Sequence, residues 1–242
     1  MTIARPAYPG ERAIEDVTFL VGAERSGTTL LRLMLGHHPQ LAWQNEFEFV
    51  VDRVLPDGRP PELTEYSRWL GMHRIFQATG FAIDPKLSYG ALVRSFLRQR
   101  MNREGKPRAG ATIHRHFDRL LHLWPDARFI HLVRDPRDVT SSVIAMGWAG
   151  NVWTGVRNWI EAEESWERLC ERVPAHRRHE VRYEDLLVNP SAVLGRICTF
   201  VGMPYDHAML SYPDDSTYDA PDPALAFKWK KKLTSDEVRL VE

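Results

Sequence analysis

The feature that most constrains this chain is a glycine loop set between a short apolar run and an amphipathic segment. Val17-Thr-Phe-Leu-Val21 is apolar and rich in β-formers, and it reads as a buried strand. Gly22-Ala-Glu-Arg25-Ser26-Gly27-Thr28-Thr29 follows. A helix fits residues 28–35, with Leu30, Leu31, Met34 and Leu35 on one side and Gly36 and Pro39 closing it. Strand, tight loop and helix start together make an anion site, because the unpaired N–H groups of the first turn and the helix dipole face the same point. A nucleoside-triphosphate loop of the form G-x-x-x-x-G-K-[ST] carries lysine after its second glycine. Here Thr28 stands in that position, and the basic residue is Arg25, inside the loop.

The same pattern recurs downstream. Arg128-Phe-Ile-His-Leu-Val133 reads as a second strand, followed by Arg134 and not by the acid that holds magnesium in nucleotide hydrolases. Asp135 suits a helix N-cap and Pro136 the first helical position. Residues 179–182 give a third strand. A long helix fits residues 152–172, with Trp159, Trp166, Leu169 and Cys170 directed to the core. Strands alternating with helices imply a three-layer α/β fold, a parallel sheet with helices on both faces. The expected fold is thus a P-loop-like parallel sheet in one domain over residues 1–242. Residues 48–108 are Arg-rich and helix-like, and read as a helical insertion over the mouth of the sheet, on the acceptor side. Ligands in such folds bind beyond the carboxyl ends of the strands.

Composition removes several classes. The 242 residues hold 32 Lys+Arg and 32 Asp+Glu, so the basic excess of a nucleic-acid-coating protein is absent. A chain 43% hydrophobic and 26% charged is globular, not disordered. Two cysteines, Cys170 and Cys198, exclude a disulfide scaffold and argue against a cysteine-built zinc site. No run approaches the length of a membrane span. Residues 1–16 carry charges and two prolines without the apolar centre of a signal peptide, so a cytoplasmic protein is expected. The 26 arginines against 6 lysines fit either a biased genome or the better match of a planar guanidinium to doubly charged oxyanions.

Four segments, in order, resemble the sulfotransferases that use 3'-phosphoadenosine 5'-phosphosulfate (PAPS), and among them the tyrosylprotein type and related bacterial enzymes. Arg25-Ser26-Gly27-Thr28-Thr29 after a strand resembles the loop that holds the 5'-phosphosulfate. Phe129-Ile-His-Leu-Val-Arg134 to Ser142 resembles the segment in which a strand-end arginine and a serine eight residues on hold the 3'-phosphate. Val181-Arg-Tyr183-Glu-Asp-Leu186 resembles the strand-to-helix segment of that family. Phe227-Lys228-Trp229-Lys230 resembles its basic-aromatic segment, which closes over the nucleotide. The resemblance implies the sulfotransferase fold, PAPS as cosubstrate with 3'-phosphoadenosine 5'-phosphate (PAP) as product, and no metal. Physically, a nucleotide charged at both ends needs two anion sites at one crevice, and the two arginine motifs supply them.

Sulfuryl transfer to a hydroxyl also needs a proton acceptor. The resembling enzymes place a glutamate beyond the loop arginine, just past a His-Pro pair. Here His38-Pro39 precedes Glu46, with Glu48 as the alternate. The family's lysine-containing segment that contacts the sulfuryl group reads Gly110-Ala-Thr-Ile-His114 in this chain, so His114 takes that part or nothing does. Arg25 is expected to stabilise the leaving phosphate. Lys228, Trp229 and Lys230 are expected on a mobile lid that follows a loop over residues 211–223. Thr234-Ser-Asp-Glu237 reads as a capping box opening a last helix. Trp69, Phe76, Phe81 and Tyr89 fit an apolar acceptor or the core. The expected acceptor bears a hydroxyl or amine and is a small molecule or carbohydrate; a P-loop kinase or ATPase, or a non-catalytic nucleotide-binding domain, are the alternatives.

Overall fold

The computed structural model describes residues 16–242. The stretch weighed as a signal peptide, residues 1–16, falls outside them except for Asp16. A five-stranded parallel sheet forms the centre: β1 (Val17–Val21), β2 (Leu41–Gln44), β3 (Arg108–Ile113), β4 (Arg128–Val133) and β5 (Arg178–Arg182), in the order β2-β3-β1-β4-β5. Helices flank it: α1 (Thr28–His37), α2 (Leu63–Met72), α3 (Arg74–Thr79), α4 (Tyr89–Glu104), α5 (Leu120–Leu123), α6 (Pro136–Ala145), α7 (Val152–Gly155), α8 (Arg157–Arg172), α9 (Tyr183–Val188), α10 (Pro190–Val201) and α11 (Ser235–Val241). None of the described helices is long and apolar enough to cross a membrane.

Alternation along β1 divides the core. Val17, Phe19 and Val21 face a cluster shared with α2–α4 and α8, while Leu20 faces one shared with α1, α9 and α10. Every residue of β1 is buried, as a central parallel strand requires. The helix-like stretch after β2 packs its stripe of Leu92, Val93, Phe96 and Leu97 into the first cluster, so α4 is part of one flanking layer. Phe76, Phe81 and Tyr89 are buried there as well, Phe81 stacked on Phe96 and the other two edge-to-face with aromatic neighbours. They are core residues and not the lining of an acceptor pocket.

Two strands go beyond the sequence reading. β2 is only four residues long, and β3 reads Arg-Ala-Gly-Ala-Thr-Ile, poor in β-branched residues until its end. Tertiary packing makes them strands. The Trp43 ring lies where a side chain at Gly110 would be, since a Cβ there would approach ring carbon Cζ3 to 2.2 Å. The Trp43 indole donates to Thr112 Oγ1 at 2.9 Å. The single helix expected over residues 152–172 is two, α7 and α8. Trp166 is buried and stacked on His131, centroids 4.4 Å apart, but Trp159 is half-buried and donates its indole N–H to the Arg134 carbonyl at 3.0 Å. Short 3₁₀ turns interrupt the expected loop at residues 211–223, and α11 opens on the Thr234–Glu237 capping box.

Candidate functional site

Because all five strands run the same way, the residues that follow them emerge on one edge of the sheet. Each strand delivers one of the residues singled out above. The β1 loop carries Arg25, β2 is followed by Glu46, β3 by His114, β4 by Arg134 and β5 by Tyr183.

The glycine loop enters α1 through Gly27, whose φ is 93° and which offers no side-chain cap. The first-turn N–H groups therefore remain available, and Thr28, Thr29 and Leu30 line a cavity of about 290 Å³. Arg25 adopts φ 70°, in the left-handed region. Ser26 is buried with its hydroxyl unpartnered. Arg134, at the end of β4, lines the same cavity. Its Nη1 donates to the Arg25 carbonyl at 3.1 Å, and its guanidinium carbon lies 4.5 Å from the centroid of the Tyr183 ring. Its Nε–H is buried without a partner. Ser142 sits two turns into α6, where its Oγ accepts Arg25 Nε–H at 3.1 Å. The two arginine motifs thus meet at one crevice. The orphaned Ser26 hydroxyl and Arg134 Nε–H fit a nucleotide charged at both ends, since unmet buried donors are costly until an acceptor reaches them.

The cavity's other wall is Thr217–Pro221 and Leu225. That stretch carried no binding signal in the sequence, being a proline- and aspartate-rich loop. Lys228, Trp229 and Lys230 do not line the cavity. They form a 3₁₀ turn strapped to the start of α6. The Trp229 backbone N–H donates to Asp138 Oδ1 at 2.8 Å, its indole N–H to Asp135 Oδ2 at 3.1 Å, and Arg137 lies 3.9 Å from its ring centroid. Two carboxylates thus satisfy the donors of the tryptophan and tie the segment expected as a lid to the start of α6. Burial pushes the Asp135 carboxyl up, but the Arg137 hydrogen bonds outweigh it and hold the group below the ordinary aspartate value. The exposed Lys230 ammonium lies 5.1 Å from the centroid of the Phe227 ring.

A second cavity, of about 360 Å³, borders the same loop at Glu24 and is lined further by His114, Arg115, His116 and the α8 residues Asn158, Glu161 and Glu164. His114 Nδ1 lies 3.1 Å from the Gly22 carbonyl, which can only accept, so Nδ1 carries the proton and Nε2 of the neutral ring holds the lone pair. The His114 backbone N–H donates to Glu48 Oε1 at 2.9 Å. Glu48 is buried, and that burial raises its carboxyl above the ordinary glutamate value despite His114 and Arg115 nearby. Glu46 is exposed, with φ 44°. Its electrostatic neighbour is Arg32, which also feels Tyr218 of the first cavity's wall. Among the described residues, the non-glycine positions with positive φ are Arg25, Glu46, His116 and Phe227, and Arg25, Glu46 and Phe227 lie in segments singled out from the sequence. Strain of this kind collects at working sites.

Comparison with known proteins bears on the family and the fold. Residues 18–207 match the profile of the Sulfotransferase family. Protein-tyrosine sulfotransferase A of Caenorhabditis elegans is 28% identical over 207 residues, a match covering 80% of this chain and 52% of that protein. The chain spans about half the length of the curated relatives it matches. The sulfotransferase domain from the Synechococcus PCC 7002 olefin synthase superposes with a TM-score of 0.71 at 23% identity, covering 98% of this chain and 97% of that one. A mouse sulfotransferase complexed with PAP superposes with a TM-score of 0.54 at 13% identity, covering 93% of this chain and 80% of that one. These structures carry the same fold, and the family profile covers most of the sequence: the chain belongs to the sulfotransferase family, a family of enzymes.

Proposed function

We propose that the chain moves the sulfuryl group of PAPS to a hydroxyl-bearing acceptor by in-line displacement. The observation that carries this is the 3.1 Å hydrogen bond from Arg25 Nε–H to Ser142 Oγ, which joins the two anion motifs, whose arginines line one cavity. The mouse neighbour's PAP complex supports a nucleotide of this kind. PAPS supplies an activated sulfur–oxygen bond. In this reading Arg134 and Ser142 hold the 3'-phosphate, and the Ser26–Thr29 backbone and Arg25 hold the 5'-end. Glu46 takes the acceptor's proton as the acceptor oxygen bonds to sulfur and the bond from sulfur to the phosphate oxygen breaks. Arg25 and the first-turn N–H groups then face the charge gathering on the leaving phosphate. His114, at the head of the second cavity, contacts the group in transfer, and that cavity receives the acceptor. No step of this scheme calls for a metal.

The acceptor is a small molecule or a carbohydrate, and the curated relatives, named for protein tyrosine, add a tyrosyl peptide to the set worth assaying. Calorimetry with PAP in the presence of a chelator tests the donor half: binding that requires magnesium, or that favours ATP, overturns it. Turnover of labelled PAPS over a panel of sugars, phenols and tyrosyl peptides tests the acceptor half.

A further inference from the structure

Arg134 is read above as part of a 3'-phosphate clamp, but its contacts within the chain give it a second task. Its Nη1 donates to the carbonyl of Arg25, 109 residues away and on the other motif. Arg25 holds a left-handed φ of 70°, a conformation that side-chain-bearing residues keep only when their surroundings enforce it. The guanidinium that grips this carbonyl is itself held on several sides. Tyr183 lies against its face, Asp138 Oδ2 is 3.8 Å from Nη2, and the Leu225 carbonyl accepts from Nη2 at 3.4 Å. The Tyr183 ring also fills the space beside Gly27, where a Cβ would come within 2.2 Å of ring carbon Cδ2. The loop is therefore gripped at residue 25 by Arg134 and at residue 27 by Tyr183, with the unpartnered Ser26 hydroxyl between.

We propose that Arg134, seated on Tyr183, is a positioning residue for Arg25: it holds the glycine loop in its anion-binding shape, so that recognition at the two ends of the nucleotide is coupled through the loop backbone. The inference rests on the proposed function for its ligands but not for its first measurement. In the ligand-free protein, hydrogen exchange of the amides at residues 22–29 is expected to quicken at least fivefold in Arg134→Met and in Tyr183→Leu, with β1 and α10 amides unchanged. Unchanged loop exchange in both variants overturns the proposal. Should Arg134→Met unfold, Arg134→Lys serves in its place, because an ammonium keeps the charge but lacks the flat face that lies against Tyr183.

The second measurement uses adenosine 5'-phosphosulfate, which lacks the 3'-phosphate. A residue serving only that phosphate is silent toward this ligand. A residue that shapes the loop is not, so Arg134→Met is expected to weaken it at least fivefold, and Arg134→Lys to recover less than half of the loss on a logarithmic scale. Full recovery by lysine reduces the effect to unlocalised charge and overturns the proposal, as does affinity within twofold of wild type. Failure of the wild-type protein to bind PAP strikes the proposed function instead and leaves the exchange result standing.

Discussion

Arg25 and Ser142 lie 117 residues apart in the chain, yet the guanidinium Nε–H of one donates to the hydroxyl of the other at 3.1 Å. A serine hydroxyl can accept one hydrogen bond while donating another. Ser142 is thereby able to take the Arg25 N–H and still offer its own proton to a phosphate. The glycine loop and the α6 motif are parts of one network, and its members are expected to fail together.

Ser142→Ala removes the acceptor that orients Arg25 and the proposed donor to the 3'-phosphate. A hydrogen bond to a charged group is worth roughly 1.5–3 kcal/mol, so PAP affinity is expected to fall by about tenfold or more. Titration calorimetry reads it directly. An affinity unchanged by Ser142→Ala removes the serine from the site.

Glu46→Gln keeps the size of the side chain and discards the proton acceptor. A positioned general base contributes about 10²–10⁴-fold, so kcat is expected to drop at least tenfold with PAP affinity nearly intact. His114→Ala and Glu48→Gln are the informative companions. Normal turnover by Glu46→Gln beside a dead His114→Ala moves the base to the imidazole whose Nε2 lone pair the Gly22 carbonyl leaves free.

Trp229 ties residues 227–231 to α6 through Asp135, Asp138 and Arg137. In Trp229→Ala the indole hydrogen bond and the Arg137 contact both go, and limited proteolysis is expected to cut at residues 211–233 several-fold faster. The wild-type segment is expected to resist cleavage without nucleotide. Rapid cleavage of the wild type that nucleotide suppresses makes the segment a mobile lid instead.

Glu48 provides a pH test. Burial raises its carboxyl in the folded protein above the unfolded value, so the folded state binds the proton more tightly. Its contribution to stability is complete below the ordinary glutamate range and is lost as pH rises through the raised value. Glu48→Gln has no such proton to lose and keeps an acceptor for the His114 N–H. Thermal melts from about pH 4 to about pH 8 are expected to show the variant gaining on the wild type as pH rises. A constant difference across that range dismisses the burial argument.

What was legible in the chain is what local order writes into it. An apolar run, a glycine loop and a helix start specify an anion site by backbone geometry alone, as at residues 17–35. Arg134 with Ser142, the Thr234–Glu237 cap and α1 are local patterns of the same kind. Their spacing along the chain survives in the structure because each is stabilised within one or two turns. Neither β2 nor β3 has that advantage. Their residues become strands only because β1 lies beside β3 and Trp43 covers Gly110.

The site follows the same division. The sequence by itself determined which residue types sit at the anion loops, and a parallel sheet then brings five strand ends to one edge whatever the side chains are. Only tertiary structure decided which of those residues touch. Arg25 bonds to Ser142 and Arg134, Trp229 bonds to Asp135 and does not line the cavity, and Thr217–Pro221 supplies a wall that no pattern announced. The physical reason is range. Hydrogen bonds and ring contacts act over a few ångströms between residues about a hundred positions apart, and periodicity along a chain carries no record of such meetings.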